Sequence, residues 1–344
     1  MPWPAPNLAH LRQLTDNTGI LQHARFAVPR YDEGYCLDDN ARALLLTTLL
    51  EPDNPGLAPL ACRYLAFVNH AFNPALGRFR NFMSYARTWL EPQGSDDSHA
   101  RALWALGATA ARCVDPGRRV LAAELFLDGL PAAAQSAHPR SWAYALLGLQ
   151  ARFAAGPGDD RLAALEQELA GRLHRLYLAH ADARWPWFED RLTYCNARLP
   201  QALLLAGTRT GRGDWTDCGL RALDWLARIQ TDDRGRFAPI GCKGFYSRDG
   251  TRAWFDQQPV EACTVVSASL DALAATGEAH WGRRARDAYR WFLGENQLCL
   301  PLYDPATGGC RDGLHADRVN RNMGAESTLS YLLAHQAMAS LESG

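Results

Sequence analysis

The chain has 344 residues, of which 47% are hydrophobic and 21% are charged, and its formal net charge at pH 7 is -1. The composition is that of an ordinary globular protein, and the charge gives no basic field for binding nucleic acid or anionic lipid. No apolar run reaches the roughly 20 residues that span a bilayer, and the N-terminal stretch MPWPAPNLAHLRQL lacks the pattern of a secretory signal.

The cysteines indicate a reducing environment. There are 9 of them, an odd number, with no CxxC and no Cys/His spacing typical of zinc. Cys62, Cys195 and Cys263 lie among apolar residues of predicted helices. We therefore expect buried free thiols, a cytoplasmic protein and no metal or other cofactor.

Apolar residues recur at spacings of three and four along most of the chain, which predicts α-helices. With one helix in segment 6–24, the total is about twelve. The other predicted helices cover residues 41–50, 60–72, 100–112, 120–130, 141–154, 162–178, 197–206, 215–229, 263–275, 281–293 and 327–341.

The connections between these helices alternate in length. Short turns such as 115–117 and 211–213 alternate with long polar loops that carry aromatic residues. The long loops are 73–95, 180–193, 231–259 and 297–324. This alternation predicts helical hairpins arranged in a ring, an all-α (α/α)6 barrel that forms one domain over residues 1–344, with the long loops at one end.

The helices that follow long loops begin alike, with polar residues that give way to small apolar ones. These starts are GYCLDDNARALLL (34–46), GSDDSHARALWAL (94–106), AHPRSWAYALLGL (137–149), LTYCNARLPQALLLAG (192–207), QPVEACTVVSASLDAL (258–273) and NMGAESTLSYLLA (322–334). In a barrel of this kind we expect the starts to converge on one pocket. Helix capping is the alternative explanation, but a cap needs one oxygen, whereas Asp38-Asp39 and Asp96-Asp97 supply two carboxylates each.

Carboxylates and aromatic rings together indicate a carbohydrate site, because the former bond sugar hydroxyls and the latter stack on pyranose faces. The strongest local cluster is WPWFED at 185–190, and packing within the loops is the alternative role for its rings. The other loop aromatics are Tyr35, Phe82, Tyr85, Trp89, Phe245, Tyr246 and Trp254.

Glycoside cleavage needs two carboxyl groups. An acid pressed against an indole has a raised pKa, which favours Glu189 as the general acid, with Glu261 second and Asp97 or Asp39 as the partner. Arg101 could equally be a structural ion-pair partner, as could Arg198. The remaining predicted substrate-binding residues are Tyr35, Asp38, Asn40, Arg42, Asp96, His99, Arg101, His138, Trp187, Asp190, Tyr194, Asn196, Arg198, Trp254, Asp256, Gln258, Asn322 and Glu326.

Two other functions are open. His99 and His138 both fall at predicted helix starts and could move a proton on and off a sugar carbon, as an epimerase or isomerase does. The chain could also be a non-catalytic glycan-binding partner of a glycosyltransferase. Phosphorolysis is a variant of hydrolysis that the sequence does not separate from it.

The hairpin pattern resembles the six-hairpin glycosidase superfamily. LTDNTGILQHARFAVPRYDEGYCLDDNARALL, WPWFEDRLTYCNARLPQALLLAG, FDQQPVEA and NMGAESTLSYLLA are similar to signature segments of a bacterial domain found alone or behind glycosyltransferase modules, near mannoside-processing enzymes. The likeness runs from about Leu14 to Ala339, and the doubled aspartates also resemble those of helical-barrel α-mannanases. We therefore expect a glycoside hydrolase acting on a mannose- or glucose-containing oligosaccharide.

Overall fold

The computed structural model describes residues 5–156 and 159–343, except for the side chains of 342 and 343. Within these ranges the α-helices are α1 Ala9–Leu14, α2 Leu37–Leu50, α3 Ala58–Ala71, α4 Asp96–Arg112, α5 Pro116–Gln135, α6 Pro139–Phe153, α7 Asp160–His180, α8 Arg198–Thr210, α9 Gly213–Ile229, α10 Pro259–Thr276, α11 Ala279–Phe292 and α12 Ala325–Ser343.

The strands lie in the loops, have two residues each and form two-stranded sheets. They are β1 Ala24–Arg25, β2 Val28–Pro29, β3 Tyr35–Cys36, β4 Phe72–Asn73, β5 Arg78–Phe79, β6 Phe82–Met83, β7 Arg191–Leu192, β8 Tyr246–Ser247, β9 Tyr303–Asp304, β10 Gly309–Cys310, β11 Gly313–Leu314 and β12 Val319–Asn320.

Each predicted helix is confirmed, and the differences lie at the ends. Helices α2 and α4 begin four residues before their predicted starts, because the polar residues 37–40 and 96–99 form their first turns. Helix α1 is much shorter than segment 6–24. The Asp16 carboxylate accepts hydrogen bonds from the backbone N–H groups of Thr18 (2.7 Å) and Gly19 (3.3 Å), which turns the chain just after α1.

The chain divides into two compact units. The N-terminal unit comprises Arg12–Ala24 and Val28–Gly171, and the C-terminal unit comprises the described residues of Met1–Leu11, Arg25–Ala27 and Arg172–Gly344. The single-domain organisation stays a prediction.

In the N-terminal unit, helix α4 packs between α2 and α6, while α3 packs on α2 and α5 packs on α4. The contact between α4 and α6 depends on glycine. A Cβ atom at Gly107 of α4 would lie 2.3 Å from the backbone oxygen of Gly148 on α6. The two helices therefore meet backbone to backbone, and the small residues seen in the sequence permit that approach.

In the C-terminal unit, helix α10 packs between α8 and α12, while α9 packs on α8 and α11 packs on α10. Helix α10 is buried over most of its length, whereas α11 turns Trp281, Trp291 and Phe292 inward and leaves Arg283 and Arg290 exposed. The buried helices α2, α4, α8 and α10 follow long loops and their partners follow shorter links, whereas α6 follows the three-residue link 136–138. The predicted pattern of hairpins is confirmed within each unit.

No described helix combines the length and the apolar composition that crossing a lipid bilayer requires. The nine cysteines are all free thiols. Cys195 and Cys263 are buried as predicted, whereas Cys62 is exposed. The prediction for Cys62 was wrong because α3 turns this residue away from the apolar stripe of Leu60, Ala61 and Tyr64.

The Gly107→Ala substitution tests the close approach of α4 and α6. Because the added methyl group would meet a backbone oxygen rather than a flexible side chain, we expect the free energy of unfolding to fall by about 1–3 kcal/mol. Urea titration measures this fall. The control is Gly213→Ala at the first residue of α9, where a Cβ would meet nothing within 4 Å. Equal stability of the two variants would contradict the packing.

Candidate functional site

The doubled aspartate at the start of α2 does not cap the helix. Cys36 is the N-cap residue, and its Sγ accepts a hydrogen bond from the backbone N–H of Asp39 (3.4 Å). The Asp38 carboxylate pairs instead with Arg42 (2.8 Å) and with Nε of Arg101, and Asp39 also pairs with Arg42 (3.0 Å). We call Cys36, Asp38, Asp39, Arg42 and Arg101 the Asp38 cluster.

The charges of the Asp38 cluster are fixed by its neighbours. Burial raises the pKa of Asp38, but Arg101 and Arg42 outweigh it and hold the pKa below its usual value. Burial and the Asp39 charge raise the pKa of the Cys36 thiol, which stays protonated and donates to Asp39 (3.2 Å). Asp38 is therefore an ionised hydrogen-bond acceptor with 24% of its side chain exposed.

At the start of α4 the N-cap residue is again not one of the two aspartates. Ser95 is the N-cap residue, and its hydroxyl accepts from the backbone N–H of Ser98 (3.2 Å). Asp96 accepts from Arg78 (2.5 Å) and from the hydroxyl of Ser136 (2.5 Å). Burial raises the pKa of Asp96, but these hydrogen bonds and the charge of Arg78 bring it below its usual value. Asp97 is half-buried.

His99 does not suit the proton-transfer role predicted for it. Its Nδ1 accepts from the backbone N–H of Phe79 (3.3 Å) and its Nε2 donates to the backbone oxygen of Gly129 (2.9 Å). The side chain is 1% exposed, and burial lowers its pKa to about 4. His99 is a neutral structural residue, whereas His138 is exposed at the N-cap of α6.

In the C-terminal unit, Glu261 holds the turn that precedes α8. The buried carboxylate accepts from the backbone N–H of Cys195 and from the side-chain amide of Asn196 (3.0 Å). Cys195 has a φ of 48°, in the left-handed region, and Asn196 also accepts from the N–H of Thr193 (2.9 Å). Asn196 is fully buried, and its contact with substrate stays a prediction.

Arg198, at the first residue of α8, is a link in a buried chain of hydrogen bonds. It donates to Gln201 (2.6 Å), and Gln201 donates to Asp271 of α10 (2.6 Å). Burial raises the pKa of Asp271. This chain ties α8 to α10 and agrees with the structural alternative for Arg198.

Asp256, in the segment before α10, is bonded to a histidine that the sequence did not single out. Asp256 is hydrogen-bonded to Nδ1 of His315, and the two side chains are 28% and 29% exposed. Trp254 is 39% exposed, with the guanidinium of Arg252 3.9 Å from the centre of its ring. Gln258, the N-cap residue of α10, is half-buried. No local motif marks His315, because its partner is 59 residues away in the chain.

The WPWFED cluster is mostly a packing feature. Trp187 is 0% exposed and packs against Phe188 and Trp225, and its stacking on sugar stays a prediction. Glu189 is half-buried, and its backbone oxygen accepts from the buried Trp185 ring nitrogen (2.7 Å). Hydrogen bonds from His180 and Arg248 lower the pKa of the exposed Asp190.

Two residues predicted to contact substrate in the N-terminal unit are buried. Tyr35 is 1% exposed, and its hydroxyl donates to Asp16 (2.5 Å). Asn40 is 0% exposed, accepts from the N–H of Ile20 (3.0 Å) and donates to the oxygen of Cys36 (2.8 Å). Their contacts with substrate stay predictions. In this structure Tyr35 is bonded within residues 16–36, and Asn40 fastens Ile20 to α2.

The remaining predicted residues of the C-terminal unit are accessible in part. Tyr194 is 41% exposed. Asn322 is half-buried and its side-chain oxygen accepts from the N–H of Phe26 (3.0 Å), while Glu326 is half-buried in the first turn of α12. Asp312, which the sequence did not single out, accepts from the N–H of Gly324 (2.7 Å) just before α12.

A cavity of about 390 Å³ in the N-terminal unit does not coincide with the predicted site. It lies beside α3 and is lined by Asn17, Thr18, Pro59, Cys62, Arg63, Ala66, Phe67 and His70. None of these residues was predicted to act on a substrate.

No model of a known protein family matches the sequence, and the comparison with curated proteins gives no match. Solved structures do match. A cellobiose 2-epimerase from Bacillus thermoamylovorans superposes with a TM-score of 0.77 at 11% identity, covering 98% of this chain and 96% of that one. A D-mannose isomerase superposes with a TM-score of 0.72 at 14% identity, covering 97% of this chain and 95% of that one. A GH76 α-mannanase from Bacteroides thetaiotaomicron superposes with a TM-score of 0.62 at 8% identity, covering 90% of this chain and 87% of that one.

The chain shares the (α/α)6-barrel fold of these solved structures, as the sequence predicts. These likenesses at low identity establish the fold and leave the reaction to be argued from the residues.

The Arg101→Met variant tests the ion pair of the Asp38 cluster. With one arginine removed, Asp38 keeps a largely buried charge with less compensation, so we expect the free energy of unfolding to fall by about 3 kcal/mol. Adding Asp38→Asn should restore part of this loss in a double-mutant cycle. Arg318→Met, which removes an exposed ion pair with Asp317, is the control and should change stability little. Additive effects of the two cluster substitutions would contradict the coupling.

The pH dependence of stability tests the neutral state of His99. The unfolded chain protonates this histidine below about pH 6.5, whereas the folded protein does so only near pH 4, so the stabilisation is complete above 6.5 and is lost progressively as the pH falls toward 4. Relative to His99→Gln, the wild type should lose up to about 3 kcal/mol across this window. His138→Gln is the exposed control, and parallel curves for wild type and His99→Gln would refute the assignment.

Proposed function

We propose that the protein is a carbohydrate-processing enzyme and, more specifically, a glycoside hydrolase acting on a mannose- or glucose-containing oligosaccharide. The observation that carries the proposal is that Cys36 and Ser95 cap α2 and α4, although both helices begin with a doubled aspartate. Four carboxylates thus occupy helix starts without capping them. Buried charges cost free energy, and substrate binding or catalysis accounts for that cost better than stability does.

The fold supports a carbohydrate substrate. The three similar structures are, by their names, a cellobiose 2-epimerase, a D-mannose isomerase and an α-mannanase. Glucose- and mannose-containing sugars are therefore the first substrates to test. The comparison favours no single reaction, since both isomerising and hydrolysing enzymes share the fold.

The ionisation state of each carboxyl group decides which role in hydrolysis suits it. Hydrolysis needs one carboxyl group that gives a proton to the glycosidic oxygen as its bond to C1 breaks, and one carboxylate that activates water or attacks C1. Asp38 and Asp96 have lowered pKa values, so they suit the binding of sugar hydroxyls and do not suit the acid role. Glu189 and Asp97, both half-buried, stay the acid and the partner predicted from the sequence.

The other two predicted catalytic residues are less accessible. Asp39 is 5% exposed and Glu261 is 3% exposed. Asp39 is held by Arg42 and the Cys36 thiol, and Glu261 by the turn before α8. These contacts suit residues that hold the site in position better than residues that transfer a proton to a substrate.

Activity on defined sugars tests the hydrolase. Purified protein is incubated with cello-oligosaccharides and α-linked manno-oligosaccharides, and new reducing ends are measured with and without inorganic phosphate. We expect Glu189→Gln and Asp97→Asn to lower kcat about 10²–10⁴-fold, because each removes an acid or base of the reaction. Glu278→Gln, at an exposed residue before α11, is the matched control.

Three outcomes contradict parts of this proposal. Full activity of Glu189→Gln, Asp97→Asn and Glu261→Gln would refute the assigned residues. Sugar phosphate formed only when phosphate is present would identify phosphorolysis. Saturable binding with no turnover would support a glycan-binding role beside a glycosyltransferase, a partner that stays a prediction from the sequence.

A sugar epimerase or isomerase is the second candidate, favoured by the Asp256–His315 pair. Asp256 accepts from Nδ1 of His315, which orients the ring and leaves Nε2 without a hydrogen bond to any residue in the described part of the chain. An Nε2 atom so placed can take a proton from a sugar carbon next to a carbonyl group. This residue replaces His99 in the hypothesis.

Deuterium exchange separates the two reactions. In D2O an epimerase or isomerase replaces a C–H bond of D-mannose or cellobiose with a C–D bond and leaves any glycosidic bond intact. His315→Asn should abolish this incorporation. Cleavage without incorporation would exclude this candidate, and incorporation that survives His315→Asn would exclude the residue.

A further inference from the structure

Three tyrosines from separate segments of the N-terminal unit form a stack. The rings of Tyr31 and Tyr85 have centroids 4.7 Å apart and planes 16° apart, and those of Tyr85 and Tyr35 are 6.3 Å and 18° apart. Tyr85 is therefore the middle ring. The stack begins at β3, directly before α2 and the Asp38 cluster.

The stack passes from the interior to the surface. Tyr35 is 1% exposed, whereas Tyr85 is 47% and Tyr31 is 55% exposed. Within the described residues, the ring of Tyr31 contacts no aromatic ring other than that of Tyr85. Two large rings left in water at one place forgo the free energy of burial, which marks a surface that meets a ligand.

The loop that carries Tyr85 is fastened on both sides. Ser84 donates its N–H to the oxygen of Thr88 (2.9 Å), and Arg87 donates to the side chain of Asn17 (2.6 Å). At the base of the loop, the Glu91 carboxylate accepts from the N–H groups of Asn81 (3.0 Å) and Phe82 (3.2 Å). The middle ring is thus held in place before any ligand arrives.

The turn that carries Tyr31 is pressed against this loop. Gly34 has a φ of 63°, and a Cβ there would lie 2.2 Å from the backbone oxygen of Met83. Only glycine allows this approach, which brings Tyr31 over Tyr85. A preformed pair of rings loses little conformational entropy when a ligand binds.

The chemistry around the rings fits a sugar. Pyranose rings stack on aromatic faces, and their hydroxyls bond charged groups such as Arg30, Asp32 and Glu33, which flank Tyr31 and pair with one another at the surface. A protein partner needs about 800 Å² of surface on each side, whereas two half-exposed tyrosines offer far less, since a whole aromatic side chain buries about 150–250 Å². The site has the size of one ring.

We propose that Tyr31 and Tyr85 form an outer subsite that binds one sugar residue of an oligosaccharide. The proposal rests on the proposed function and narrows its substrate class to oligosaccharides longer than a disaccharide. Tyr35 is the buried support of the subsite.

Calorimetric titration with cellobiose, cellotetraose, α-linked mannobiose and α-linked mannotetraose tests the subsite. One of the tetrasaccharides should bind about 10-fold more tightly than its disaccharide, the gain expected of one stacked ring. Tyr31→Ala and Tyr85→Ala should remove this gain and raise KM for the tetrasaccharide with kcat unchanged. Tyr31→Phe should keep it, because the ring remains.

Phe82→Ala is the matched control. Phe82 is 42% exposed on the same loop, but its ring is not in the stack, so its loss should leave the gain intact. Equal affinity for both lengths, no binding of any of the four sugars at millimolar concentration, or a gain that survives Tyr31→Ala would overturn the subsite. Tight binding through Tyr31 without turnover would refute the hydrolase and keep the subsite. Turnover that does not depend on the length of the oligosaccharide would keep the hydrolase and refute the subsite.

Discussion

The structure depends on the compensation of charges buried at helix starts. A carboxylate taken out of water is costly unless hydrogen bonds or an opposite charge replace the water. At the start of α2, Arg42 and Arg101 replace the water around Asp38. At the start of α10, the N–H of Cys195 and the side-chain amide of Asn196 replace the water around Glu261. Each buried charge therefore fixes the neighbouring chain around itself.

These charges also fasten the long loops. Asp96 is bonded by Arg78 from the loop before α4 and by Ser136 from the link before α6. In the C-terminal unit, Asp256 of one loop is bonded to His315 of another. Loops of this length would otherwise be free to move, so the polar helix starts are anchors that hold the loops in position.

The helices were predictable from the sequence because burial on one side of a helix leaves a period in the residue pattern, and each element from α2 to α12 lies where that period indicates. The aromatic loops were not predictable. Trp187 sits in a polar segment, and its burial depends on Trp225, 38 residues further along the chain. The capping role of Cys36 was not predictable either, since aspartate is a preferred N-cap residue and cysteine is not.

The same limit separates the parts of the candidate site that the sequence identified from those it missed. Repetition of Asp-Asp before Ala-Arg-Ala pointed to Asp38 and Asp96, because a local repeat is visible without a fold. The partners of these residues differ in kind. Arg42 is one helical turn from Asp38 and could be paired with it from spacing alone, whereas Arg78 and His315 reach their carboxylates only through the fold.

Proton transfer in this protein must involve groups that are not already committed to an opposite charge or to the backbone. Asp38 and Asp96 are held ionised by arginine, and His99 is held neutral by two backbone groups. None of the three can exchange a proton near neutral pH without losing the contacts that hold its helix start. The Nε2 atom of His315 carries no such contact in the described structure. Glu189 and Asp97 are the carboxyl groups that the proposed hydrolysis would use. The choice between cleavage of a glycosidic bond and isomerisation of a sugar is therefore a choice between a carboxyl group and an imidazole as the carrier of the proton.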